Sequence, residues 1–157
     1  MLQLLNGIVI MRNIQLKPWL SKAAVQLREQ IDDSYPARSR KSEGWIADLR
    51  HQQAGKSDHI PDRVSGVVRA IDIDASLSDN KGDSAYLADQ LRLYAKNHGR
   101  ISYVIHLGMI ASPILNYKWR RYKGFSPHNH HIHCSFRTNQ DSNSEFFNIP
   151  LLGGNNE

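Results

Sequence analysis

Two stretches of the sequence decide the fold: SDHIPDRVSGVVRAIDID at residues 57–74 and HNHHIHCS at residues 128–135. Apolar and polar residues alternate in both stretches, which is typical of a strand with one buried face. On the first predicted strand the apolar face carries Val67, Ile71 and Ile73, and the other face carries Ala70, Asp72 and Asp74. On the second, the inward residues are Ile132, Cys134 and Phe136, and the opposite ones are His131, His133 and Ser135. The pattern therefore predicts two strands that hold polar side chains over an apolar back.

The polar faces of these strands, with a histidine from the preceding loop, supply the ligands of a metal site. Catalytic zinc commonly takes three protein ligands and keeps a fourth position for water. His59, Asp72 and His133 offer such a set. Zinc lowers the pKa of water to about 7 and polarises a carbonyl, which suits hydrolysis of an amide. Asp74 shares the face of Asp72 and is the alternative carboxylate ligand.

The histidines have a simpler interpretation that must be weighed against a metal site. The chain has eight of them, and a single histidine is more often a surface or core residue than a ligand. We interpret His51, His98 and His106 in this way. The tract at residues 128–133 is different, because its four imidazoles repel one another when protonated and invite a metal when neutral. The single cysteine, Cys134, excludes an internal disulfide, and its inward register predicts a small buried residue.

The residues around these ligands resemble the motifs of a known family. Its pattern Ser-x-His, glycine, Ala-x-Asp is matched by Ser57, His59, Gly66, Ala70 and Asp72. Its pattern His-x-x-His-x-His, with a serine two residues later, is matched by His128, His131, His133 and Ser135. Its YVI and IxS strands are matched at residues 103–105 and 110–112, and its lead-in by Pro36, Arg38, Ser42, Glu43, Gly44, Ile46, Ala47 and Asp48. Over residues 18–137 the chain thus resembles the zinc D-alanyl-D-alanine carboxypeptidase-like enzymes, which include endolysins of the L-alanyl-D-glutamate endopeptidase type. Departures from the usual residues fall at Glu43, Ala47 and Ile60, and none removes a proposed ligand.

The resemblance implies a function and a set of roles. It implies a zinc metallopeptidase that cuts the stem peptide of bacterial peptidoglycan, as an L-alanyl-D-glutamate endopeptidase or, alternatively, as a D-alanyl-D-alanine carboxypeptidase. Zn²⁺ is then held by His59, Asp72 and His133, and His131 is the general base, with His128 as the second choice for that role. Arg38 is expected to bind a substrate carboxylate or the oxyanion, because arginine offers a permanent bidentate fork, and Arg40 is the reserve candidate. The residues expected to order the site around the ligands are Ser57, Asp58 and Asp74.

Two functions of other classes remain as alternatives. A metal-dependent nuclease is suggested by the formal charge of +5 and by the letters HNHH at residues 128–131. The aromatic and cationic stretch NYKWRRYKGF at residues 116–125, taken in isolation, would suit a nucleic acid. The spacing of the histidines does not suit a nuclease, so we expect no nucleic acid partner and interpret this stretch as lining a groove for an anionic glycan peptide. A zinc-stabilised domain that binds the cell wall without catalysis, as hedgehog-type relatives can be, is the other alternative.

The length and the periodicity of the chain predict one α+β domain over residues 1–157. Helices are predicted at residues 18–33 and 84–98, flanking a mainly antiparallel sheet of the hedgehog and D-Ala-D-Ala peptidase type. Residues 101–105 alternate as a further strand. We expect residues 1–15 to be a loose extension, and residues 138–157 to be a tail with a flexible link and a short apolar anchor at 146–152.

No signal peptide and no membrane-spanning stretch are predicted, since residues 1–10 lack a basic start and a cleavage site. We therefore expect a monomer that is made in the cytoplasm of a host bacterium and acts at the cell wall or in the periplasm, without stable membrane insertion.

Overall fold

A mainly antiparallel five-stranded sheet with two long α-helices forms the centre of the computed structural model, an α+β arrangement as the sequence predicts. The described residues are 3–5, 8–10, 16–48, 50 and 57–156. In chain order the elements are β1 (Gln3–Leu5), β2 (Ile8–Ile10), β3 (Trp19–Leu20), α1 (Lys22–Ser34), β4 (Val67–Val68), β5 (Ala70–Asp74), α2 (Asp83–Asn97), β6 (Ile101–His106), β7 (Met109–Ala111), β8 (Arg120–Arg121) and β9 (His131–Phe136). The strand order of the main sheet is β5-β9-β6-β7-β8, which places the two motif-bearing strands side by side.

The core lies on the face of the sheet that the sequence predicts to be apolar. Helix α2 packs on β6 and helix α1 approaches β5. The predicted inward residues of both motif strands are buried, as are the stripes of both helices. They include Ile71, Ile73, Ile132, Cys134, Phe136, Ala23, Leu27, Leu87 and Leu91. Burying this much apolar surface is the main stabilising contribution to the sheet and its helices.

Helix α1 begins four residues later than the sequence predicts. Trp19 and Leu20 are strand residues that pair in parallel with Val67 and Val68, so residues 18–21 cannot join the helix. Gly66 makes the turn into this pairing with a φ of +78°, and a Cβ there would lie 3.0 Å from the carbonyl oxygen of Lys17. The second helix matches its prediction to within one residue at each end. Tertiary pairing has thus overridden helical periodicity at one end of α1.

A register shift in β6 decides which of its residues face the motif histidines. Ile101 lies opposite Phe136, but Tyr103 lies opposite Ser135, with the irregularity between them. Directly opposed residues of an antiparallel pair share a face, so the shift leaves Ile101 in the core and brings Tyr103 to the polar face. Simple alternation would have placed these two side chains on the same side of the sheet.

The C-terminal residues pack against the domain. Phe147, Ile149 and Leu152 are buried, which agrees with the predicted apolar anchor. The stretch predicted to be a flexible link starts with a 3₁₀ turn, Thr138–Gln140, and Arg69 donates two hydrogen bonds to the carboxylate of Asp141, both 2.8 Å long. These contacts tie the link to the sheet.

At the N-terminus, β1 and β2 pair with each other, but the rest of residues 1–15, and with it the predicted loose extension, lies outside the described residues. No helix within the described ranges is long and apolar enough to cross a membrane.

Candidate metal centre

The pairing of β5 with β9 builds one side of the candidate centre. Asp72 lies opposite His133 and Asp74 lies opposite His131, so all four side chains project from one face of the sheet. The polar faces predicted for the two strands therefore lie on the same side of the sheet. On that side, two carboxylates and two imidazoles form two neighbouring cross-strand pairs.

His59 reaches the same place from the loop that precedes β4. Its backbone N–H donates to the hydroxyl of Ser57 over 3.2 Å, and its ring Nδ1 donates to the carbonyl oxygen of Trp45 over 3.0 Å. Gly44, beside Trp45, exchanges two backbone hydrogen bonds with Asp72, which fixes that carbonyl relative to β5. Because Nδ1 carries the hydrogen, the neutral ring of His59 presents a lone pair at Nε2.

Three donor atoms converge at this point in a compact triangle. His59 Nε2 lies 3.2 Å from Asp72 Oδ1 and 3.1 Å from His133 Nδ1, and His133 Nδ1 lies 3.1 Å from Asp72 Oδ1. Lone pairs this close repel unless a proton or a cation lies between them. Ligand atoms on a tetrahedral zinc ion are about 3.3 Å apart, given bonds of about 2.0–2.1 Å. The donor set and its spacing therefore fit a metal ion, and His59, Asp72 and His133 form a group that could hold one.

The electrostatics of the group follow from the same contacts. Burial works against ionisation of Asp72, but hydrogen bonds from His133 and His59 outweigh it and hold the pKa of the carboxyl far below its usual range. Burial also works against protonation of His59, yet the neighbouring Asp72 raises the net pKa of that imidazole. The centre thus attracts positive charge, which a metal supplies without a proton.

The other nitrogen of His133 is held by the sheet. Its Nε2 lies 2.8 Å from the hydroxyl of Ser135, which is fully buried. The ring of Tyr103 stacks on that of His133 with centroids 5.4 Å apart, and the phenol donates a 2.6 Å hydrogen bond to Asp58. Burial raises the pKa of Tyr103, so the phenol keeps its hydrogen. Ser57 contacts His59, and Asp58 contacts Tyr103, which stacks on His133; the ordering role expected of both residues stays a prediction.

His131 and His128 lie beside Asp72, and both are partly exposed. His131 Nε2 is 3.6 Å from Asp72 Oδ1, and the rings of His128 and His131 meet edge to face with centroids 4.8 Å apart. His128 adopts a φ of +57°, and its Nδ1 donates to the carbonyl oxygen of Ser126 over 2.6 Å. Burial lowers the pKa of His128 to about 4 and also lowers that of His131. Both rings are neutral at pH 7, and together with Asp72 they form a second group that could hold an ion.

His106 lies outside both groups of potential ligands and binds the backbone. It is 4% exposed, and its Nδ1 donates to the backbone carbonyl oxygens of His128 and His131 at 3.1 and 3.0 Å. Burial lowers the pKa of His106, so the ring stays neutral. This residue fixes the backbone at the start of β9, from which two of the site imidazoles project.

Asp74 is not a member of either group of potential ligands. Its carboxylate accepts hydrogen bonds from the hydroxyl of Ser39 and from the backbone N–H groups of Ser42 and Ser76, at 2.8–2.9 Å. Burial opposes ionisation, but these donors lower the pKa of Asp74 overall. Of the two carboxylates that the sequence left open, Asp72 faces the imidazoles and Asp74 holds the loop beside them.

Arg38 is engaged in a way that the sequence did not predict. Its side chain is fully buried, and its guanidinium donates to Asp32, to both carboxylate oxygens of Glu43 and to the carbonyl oxygen of Ser39. Burial disfavours the charge, but the two carboxylates raise the pKa of Arg38 overall. Arg40, the reserve candidate, also pairs with Asp32. These contacts anchor the loop to α1, and the substrate role expected of Arg38 stays a prediction.

Several contributors to the centre were missed in the sequence. The carbonyl of Trp45 is a backbone group, so a pattern of side chains cannot predict its contact with His59. Tyr103 faces the site only because of the register shift in β6. Ser135 stands in the second motif and on the polar face of β9, so its position was predictable although its contact with His133 was not.

Comparisons with known proteins found no matching family model, no similar curated protein and no similar solved structure. The family membership suggested by the two motifs stays a prediction. The function proposed below rests on the positions of the donor atoms.

Proposed function

We propose that this protein is a zinc-dependent hydrolase that cuts peptide bonds in the stem peptide of bacterial peptidoglycan. The observation that carries the proposal is the triangle of His59 Nε2, Asp72 Oδ1 and His133 Nδ1, with a neutral imidazole, His131, beside it. The side chains of His59, Asp72 and His131 keep 13%, 22% and 22% of their surface exposed, so a substrate has access to the group. The fold that the motif resemblance implies, of the hedgehog and D-Ala-D-Ala peptidase type, belongs to the same proposal.

In this proposal the three donors hold the ion and its neighbours set their orientation. When bound, zinc lowers the pKa of water and polarises the scissile carbonyl. The carbonyl of Trp45 and the hydroxyl of Ser135 each engage the imidazole nitrogen that points away from the ion. Such outer contacts select the tautomer and raise the basicity of a histidine ligand.

His131 has the position and the charge state of a general base. Its neutral ring has a free lone pair, so it can take a proton from the attacking water and later give it to the leaving amine. Asp72, 3.6 Å away, favours the protonated form of His131 that exists between these two transfers. His128, in edge contact with His131, is the second candidate and supports the ring of the first.

The substrate class rests on the motif resemblance together with the charge of the protein. A formal charge of +5 favours anionic polymers, and peptidoglycan is one of them. We prefer cleavage between L-alanine and D-glutamate, with removal of a terminal D-alanine as the alternative. The expected setting is the wall or periplasm of a bacterium in whose cytoplasm the monomeric protein is made, with no nucleic acid partner.

The test compares three single substitutions within one histidine tract. His133→Ala should lose both zinc, measured by metal analysis of the purified protein, and the release of new amino groups from purified peptidoglycan. His131→Ala should keep zinc and lose turnover. The matched control is His130→Ala, since His130 is exposed and outside both groups of potential ligands.

Mass spectrometry of the released fragments reads which bond is cut. New N-terminal D-glutamate identifies the endopeptidase, and free D-alanine identifies the carboxypeptidase. Zinc-loaded protein that releases neither product from purified walls contradicts the proposal. Parent-like turnover by His131→Ala refutes only the assignment of the base.

A further inference from the structure

A row of opposed residues connects the metal centre to the far edge of the sheet. His133 lies opposite Ile105, Ile105 lies opposite Ile110, and Ile110 lies opposite Arg120. Because directly opposed residues of antiparallel strands share a face, all four side chains start from the face that carries the metal ligands. The row thus leads from an imidazole, across two isoleucines, to a guanidinium.

Arg120 has few hydrogen-bond partners among the described residues. One of its terminal nitrogens donates a 3.3 Å hydrogen bond to the hydroxyl of Ser112, and within the described part of the chain the guanidinium has no carboxylate partner. Its Nε is buried and has no hydrogen-bond acceptor among the described residues. A buried N–H without an acceptor is costly, and a half-buried arginine charge without a counter-charge is more so.

Three other enclosed arginines among the described residues have an acceptor for their Nε–H. Arg38 is held by Asp32 and Glu43, and Arg69 is held by both oxygens of Asp141. The Nε of Arg100 donates to the amide oxygen of Gln140 over 2.7 Å. Arg120 is the exception among these four, since its Nε–H has no such acceptor.

We propose that Arg120 binds a carboxylate of the substrate at a subsite on the edge strand β8, an inference that rests on the proposed function. The planar fork of arginine matches a carboxylate with two parallel hydrogen bonds, and the terminal nitrogens of Arg120 have only the hydroxyl of Ser112 as a partner among the described residues. Ile105 and Ile110, both buried, occupy the row between this subsite and the metal ligands. This places carboxylate recognition on Arg120 rather than on Arg38, whose donors are already filled.

The spacing of the strands limits which carboxylate can bind. Three strand intervals separate His133 from Arg120, which corresponds to about 14 Å between the backbones. An extended peptide advances about 3.3 Å per residue, so this distance corresponds to about four residues, and the carboxylate lies up to that far from the cut bond. In a stem peptide this favours the diamino acid or the terminal D-alanine over the D-glutamate next to the cut.

The neighbouring residue provides a matched control. Arg121 belongs to the stretch at residues 116–125 that the sequence predicts to line a groove, but it lies opposite Met109, which lies opposite His106. Its side chain therefore starts from the face of the sheet away from the metal ligands. It is also exposed, whereas Arg120 is half-buried. Replacing Arg121 by glutamine removes the same charge from the same strand without touching the row.

The first experiment measures kcat/KM of the zinc-loaded full chain on two synthetic stem pentapeptides. One peptide has free carboxylates on the diamino acid and terminal D-alanine, and the other has both as amides. Arg120→Gln should lower kcat/KM on the free-acid peptide about 10- to 100-fold, the usual effect of losing a charged hydrogen-bond pair, and change it little on the diamide. Arg121→Gln should leave both values within about twofold. Equal losses on both peptides, or no loss on either, would overturn the assignment.

The second experiment does not depend on turnover. The Nε–H resonance of Arg120 in the zinc-loaded protein, identified by its loss in Arg120→Gln, is followed by NMR during titration with N-acetyl-D-alanine. It should shift saturably, while the Nε–H of Arg69, already held by Asp141, should stay in place. An unmoved Arg120 resonance overturns the anion subsite. A shifting resonance in a protein that cuts neither peptide keeps the subsite and refutes the proposed peptidase.

Discussion

Removing the hydroxyl of Ser135 tests whether the sheet prepares His133 for a metal. In the structure this hydroxyl is fully buried and lies 2.8 Å from Nε2, on the side of the ring away from Asp72. When Nδ1 holds an ion, Nε2 carries the hydrogen and the hydroxyl must accept it. In Ser135→Ala the metal-bound ring therefore keeps a buried N–H without its acceptor, whereas the metal-free ring can move its hydrogen to Nδ1. The cost consequently falls mainly on the metal-bound state.

The magnitude follows from that asymmetry. Loss of such an outer contact typically weakens metal binding about 10- to 100-fold, or about 1.4–2.7 kcal/mol. The zinc-induced gain in stability at a fixed zinc concentration shrinks by the same free energy, because the gain depends on the ratio of concentration to Kd. For a domain of this size the zinc-induced rise in Tm should shrink by roughly 3–10 °C.

Two measurements check this expectation. Competition with a chromophoric chelator gives the zinc affinity, and thermal unfolding with and without zinc gives the difference in Tm. Cys134→Ala is the control, since Cys134 is fully buried on the core face of the same strand and should lower both Tm values without changing zinc affinity. A zinc affinity of Ser135→Ala within about twofold of the parent would refute the role of the hydroxyl.

Three further predictions concern the surroundings of the centre. Arg38→Gln should lower the free energy of unfolding by about 1.5–3 kcal/mol in urea titrations, because it removes the charge-assisted hydrogen bonds of a fully buried guanidinium and leaves Glu43 without this partner, while Asp32 keeps Arg40. Parent-like stability with lost turnover would instead restore Arg38 to the substrate site. Asp72→Asn should abolish zinc binding while Asp74→Asn retains it, as measured by metal analysis, and equal loss from both variants would contradict the different environments of the two carboxylates. The Tm of the metal-free protein should fall as pH drops from about 7 to about 4, because three histidines with a lowered pKa stay neutral in the fold while the unfolded chain binds protons. The raised pKa of His59 acts in the opposite sense, adding stability below about pH 6.5 that is lost at higher pH, so a rising Tm on acidification would mean that His59 dominates.

The sequence predicted the side-chain faces of the two motif strands because alternation is a local property. Once Asp72 and His133 are on polar faces, a single pairing of β5 with β9 brings them together. The ends of α1 and the facing of β6 were not predictable in this way. Trp19 joins a strand because Val67, far along the chain, offers a partner, and Tyr103 changes face because of an irregularity that no local propensity marks.

The different roles of Asp72 and Asp74 show what the loops add to a face defined by alternation. Both carboxylates start from the same side of β5, and nothing in the spacing distinguishes them. The loop at residues 39–45 does, since it directs the N–H of Ser42 and the hydroxyl of Ser39 at Asp74, which also accepts from the N–H of Ser76. The Gly44 bridge of the same loop fixes the carbonyl that orients His59 beside Asp72. A carboxylate surrounded by N–H groups has its lone pairs occupied, and one surrounded by imidazole lone pairs needs a cation. A loop that carries no candidate ligand therefore decides which of the two carboxylates faces the imidazoles.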